Sequence, residues 1–68
     1  MEAYRITIRG QLGHRFEGAF GGMRLVPDGS RTVLVGTIDD QSHLFGILDR
    51  IRALGLELVS VVPDDAIA

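Results

Sequence analysis

Between Asp39 and Leu56 the sequence carries a helix together with both of its ends. Leu44, Ile47, Leu48, Ile51 and Leu54 recur at spacings of three and four, which is one apolar stripe of a 3.6-residue period. Asp49, Arg50 and Arg52 fall off the centre of that stripe and can stay wet. Asp39 or Asp40 supplies the start, because a carboxylate there accepts from the orphan N–H groups of the first turn and suits the helix dipole. Gly55 supplies the stop. With Leu54 as C-cap, Gly55 takes the next position, where a left-handed residue is wanted, and Leu56 should meet Ile51 in a Schellman ending. The predicted helix is Gln41–Leu54. A helix with one apolar face needs something to cover, and the chain before it reads as a sheet.

Two residues stand outside this pattern. Gly46 lies mid-helix and off the stripe, at a cost of about 1 kcal/mol relative to Ala. Phe45 lies about 100° round from Leu44, at or beyond the edge of the apolar face. With Arg52 it is a candidate contact for a second chain.

Upstream, Tyr4 to Arg9 alternates, with Tyr4, Ile6 and Ile8 on one side and Arg5, Thr7 and Arg9 on the other, as in a half-buried strand. Gln11 to Phe20 spaces Leu12, Phe16, Ala19 and Phe20 as a short helix would, although Gly13 and Gly18 weaken it. Phe16 and Phe20 then form a second apolar lid. Met23 to Val26 is a short strand. Pro27-Asp28-Gly29-Ser30 is a turn, and Arg31 to Ile38 is the returning strand, rich in β-branched residues. Gly36 within it marks a bulge or a close backbone approach. Leu56 to Val62 is the last strand, stopped by Pro63, and the residues after it read as a frayed tail.

The predicted order is βαββαβ: an α+β domain, a four-stranded sheet with one main helix and a short first helix, nearest to the ferredoxin-like architecture. If residues 11–22 form a hairpin loop instead of a crossover, the alternative is a β-meander followed by helix and strand. The whole chain, 1–68, is then a single small domain.

Helices on one face leave the other face of the sheet open. It would carry Arg5, Thr7, Arg9, Arg24 and Glu57. The last two strands are apolar at both parities, which is the pattern of strands covered on both sides. A chain of 68 residues cannot supply the second cover. A domain near this size buries only about 60% of its unfolded surface. A second copy could complete it, so Val33, Val35, Val59 and Val61 join Phe45 and Arg52 as candidate interface residues, with a dimer favoured.

Other classes fall away. There is no Cys, so no disulfide and no thiolate chemistry. The seven basic residues are all Arg, which codon bias in a GC-rich genome explains. A net charge of −2 is too mild to imply nucleic acid or an anionic membrane, and the open face offers no aromatic on which a base could stack. No apolar run approaches the ~20 residues of a membrane helix, and no leader is visible at the N-terminus, so the chain reads as cytoplasmic. His14 and His43 are the only histidines. Asp39 and His43 stand at i and i+4, but two ligands do not complete a metal site. Ser30, Ser42 and Ser60 have no base beside them in sequence, and no phosphate-binding glycine loop occurs. No catalytic constellation and no cofactor is predicted.

The run Asp40-Gln41, Leu44, Gly46, Leu48, Ile51-Arg52, Leu54-Gly55-Leu56, then Leu58 and Ser60-Val61, resembles a group of short uncharacterised bacterial proteins with the pattern D-Q-x-x-L-x-G-x-L-x-x-[I/V]-R-x-L-G-L. The resemblance extends weakly to Tyr4-Arg5-Ile6 and to Arg15 through Phe20. Those relatives tend to carry Trp where this chain has Phe16 or Ala19. The resemblance implies a stand-alone small bacterial domain and no particular activity. The leading functional expectation is a non-catalytic domain that self-associates and acts as a protein-interaction or regulatory module. The alternative is a small-molecule-binding or small enzyme homodimer with a pocket between helix and sheet, using His43, Gly46 and Arg50.

Overall fold

The computed structural model describes residues 2–13, 16 and 18–64. Its elements are β1 (Glu2–Arg9), β2 (Arg24–Asp28), β3 (Arg31–Ile38), α1 (Gln41–Ala53) and β4 (Leu58–Pro63). The four strands form one sheet in the order β2-β3-β1-β4, antiparallel at every junction. The domain is therefore α+β, with one α-helix and one four-stranded antiparallel sheet among the described residues.

The helix forms where its ends dictate. Asp40 is the N-cap, and its carboxylate accepts the His43 backbone N–H at 2.8 Å. At the other end Leu54 is the C-cap and Gly55 takes φ +75°. The Leu56 N–H donates to the Ile51 carbonyl at 3.1 Å and the Gly55 N–H to that of Arg52 at 3.0 Å, the bond pair of a Schellman ending. Ile47 and Ile51 are the buried centre of the stripe, and Leu44 and Leu48 flank them. Leu54 is exposed, because the cap turns it away from the sheet.

The ferredoxin-like βαββαβ order does not hold. Between β1 and β2 the described residues form turns, with the Phe16 N–H donating to Gly13, Ala19 to Phe16 and Met23 to Phe20. Gly18, Gly21 and Gly22 all take positive φ, which a helix cannot absorb. The element order is β-β-β-α-β. The meander alternative fails too, since β1 pairs with β3 and β4 and not with β2. β1 and β2 run in the same sense on either side of β3, so the connection crosses over the sheet, and its described residues form no α-helix.

That crossover still serves as a lid. Phe20 is fully buried with Ile6, Ile8, Met23, Leu34, Ile38, Ile47 and Ile51, and Leu12, Phe16 and Ala19 pack against this cluster. Thr32, buried beneath it, pins the connection. Its hydroxyl accepts the Leu12 N–H at 3.1 Å and donates to the Gly10 carbonyl at 2.8 Å. Gly36 is a close approach: a Cβ there would stand 3.3 Å from the Met23 backbone.

Candidate functional site

Strand alternation and register sort the side chains onto two faces. Ile6 opposite Leu34 and Val61 belongs to the core face. Arg5 opposite Val35 and Val62, and Thr7 opposite Val33 and Ser60, belong to the open face. On β2, Arg24 pairs with Val35, Val26 with Val33 and Asp28 with Arg31, so these three also lie on the open face. Arg5, Arg24, Val26, Pro27, Asp28, Val33 and Val35 line a shallow hollow there of about 410 Å³.

The open face is partly self-covered. Val33 is only 5% exposed although no helix among the described residues overlies it, and long arginine stems beside an apolar strand can shield it while their heads stay wet. Arg5 reaches across the sheet to Asp64, donating from Nε at 3.3 Å and Nη2 at 3.1 Å. Asp64 is buried at 7% exposure, while the Arg5 side chain is half exposed. What stays open is Val26 at 36% and Val62, with Val35 half-buried.

The predicted interface residues therefore divide. Val33 and Val35 lie on the open face. Val61 turns the other way and packs against the core. Val59 is exposed where the pairing of β1 with β4 slips by one residue between Thr7 and Ile8. That bulge inverts the parity read from the sequence, so Val62, not Val61, faces outward with Val33 and Val35. Phe45 is 58% exposed on α1, away from the sheet. Arg52 is exposed and bound to Asp49 one turn back, which raises its pKa.

His43, Gly46 and Arg50 do not converge on a pocket. The His43 ring accepts the Asp39 backbone N–H at Nδ1, at 3.0 Å, so it completes the helix start and carries its neutral-state proton on Nε2. Gly46 faces open space, with no atom within 4 Å of a Cβ built on it. Arg50 is exposed, and Ile47 and Ile51 fill the space between helix and sheet. His14 lies outside the described residues. A second cleft, of about 240 Å³, opens at the helix start between Glu2, Tyr4, Ile38, Asp39, Asp40, Gln41 and Leu44. Its Tyr4 phenol is held above the usual tyrosine range, first by a hydrogen bond to Glu2. Among the described residues no group of three His, Asp or Glu side chains could hold a metal ion, and no helix is long and apolar enough to cross a membrane.

Neither a curated protein nor a solved structure matches the chain. A family described as "Domain of unknown function (DUF8691)" matches residues 3–62, and the chain belongs to that family.

Proposed function

We propose that the chain is a non-catalytic bacterial interaction module that works as a homodimer, joined through the open face of its sheet. The observation that carries this reading is the hollow framed by Arg5 and Arg24, with apolar side chains on its floor and rim and, among the described residues, no helix or strand above it. Val26 and Val62 remain exposed on that face, and apolar strand surface of this kind gains from a second sheet packed about 10 Å away. The opposite face argues against a ligand pocket between helix and sheet, because aliphatic side chains fill it. The histidine that could serve as a base is tied to the backbone at the helix start.

Light scattering across a dilution series tests the reading. The expected result is a mass of two chains at high concentration that falls towards one on dilution. A single-chain mass up to the highest concentration reached would refute it.

A further inference from the structure

The inference rests on the self-association just proposed, and names how the two copies meet. On the open face β2 presents, in order, Arg24, Val26 and Asp28. All three are exposed. Neither Arg24 nor Asp28 makes a side-chain hydrogen bond or ion pair among the described residues. The strand therefore shows an apolar residue flanked at equal distance, about 6.6 Å by strand rise, by opposite charges that close no ion pair among the described residues, with Arg31 in the row beside Asp28.

Such a sequence is complementary to itself when reversed. We infer that β2 of one copy packs across β2 of a second, antiparallel in sense, about a twofold axis through Val26. Arg24 then meets the partner's Asp28, Asp28 meets the partner's Arg24, and Val26 meets the partner's Val26 at the axis, beside Val33 and Val35. A twofold interface uses one patch twice, so both ion pairs come from one geometry. The other face-to-face arrangement has its axis along the strands, keeps each cross-strand row in place and lays β2 over the partner's β4, so Arg24 faces the partner's Val62 and gains no opposite charge. Pairing along the outer edge of β2 is blocked by Pro27, which has no N–H to give.

The test uses Arg24→Asp and Asp28→Arg in the full chain, measured by light scattering alone and mixed. In either variant alone, like charges face each other at both positions. Dimerisation should weaken about tenfold or more. Mixed in equal amounts, the two should recover the wild-type mass as a heterodimer, because each supplies the charge that the other lacks. Recovery on mixing also shows that both variants fold. A wild-type dimer whose variants do not weaken, or weaken without recovery, overturns this register and leaves the proposed self-association standing. A wild type that stays a single chain overturns both. Nuclear Overhauser contacts between Val26 methyls of differently labelled wild-type copies give a readout that needs no variant. They are expected in a dimeric sample, and their absence there overturns the axis.

Discussion

Gly46 and Gly36 both interrupt regular elements, yet their surroundings give them opposite meanings. A Cβ on Gly46 would meet nothing within 4 Å, whereas one on Gly36 would press at 3.3 Å on the Met23 backbone. Gly46→Ala should therefore raise stability by about 1 kcal/mol, the helix propensity difference. Gly36→Ala should lower it by about 1–3 kcal/mol, since the neighbour that must yield is main chain. Urea unfolding of the two variants beside wild type measures both signs. Tyr4 gives a second residue-scale prediction. Its hydrogen bond to Glu2 favours the protonated phenol. The folded chain thus holds that proton more tightly than the unfolded one. The contribution is whole below about pH 10 and is lost as pH rises through the folded value. Tyr4 is the only tyrosine and there is no tryptophan, so absorbance reads the phenolate directly. Its midpoint should lie above the ordinary value, and Glu2→Gln should bring it down.

At the scale of elements the point most open to test is Thr32, which ties the β1–β2 connection to the sheet. Thr32→Val keeps the shape and removes the hydroxyl. It orphans the Leu12 N–H and the Gly10 carbonyl, both part-buried. The expected loss is about 1–3 kcal/mol, with faster amide exchange at Leu12. Had water simply taken over both groups, neither change would appear. This connection also marks the limit of what could be read in advance. The helix α1 was legible because Asp40, the Leu44–Ile51 stripe and Gly55 each signal locally. β3 was legible through its run of Thr and Val. The lid was not, because Leu12, Phe16 and Phe20 are spaced as on a helix while the glycines around them take turn conformations. The apolar spacing was right about which residues are buried and wrong about the backbone that buries them. The bulge opposite Thr7 left no mark in the sequence either. Pairing register depends on the partner strand, so the outward residue of β4 was misread by one.

For the molecule as a whole, the question is how a 68-residue chain without disulfides holds a sheet with no described helix over one side. Part of the answer is internal, since Val33 is shielded within the chain. For the remainder, the proposed second copy is the cover. An interface of ordinary size takes about 800 Å² from each partner, under a fifth of the chain's 4453 Å² of accessible surface. If folding and pairing are linked, mass action makes the melting temperature rise with protein concentration. Two exposed residues then separate the possible surfaces. Val26→Asp places two carboxylates against each other at the proposed axis but sits at an open position in the single chain. It should abolish the concentration dependence while leaving the dilute-limit stability within about 0.5 kcal/mol of wild type. Phe45→Ser, on the far side of the molecule, should leave the dependence intact. If instead the Phe45 variant flattens the melting curves against concentration and the Val26 variant does not, the copies join through α1. The open face would then be an ordinary wet surface, shielded by arginine stems and the Arg5–Asp64 pair.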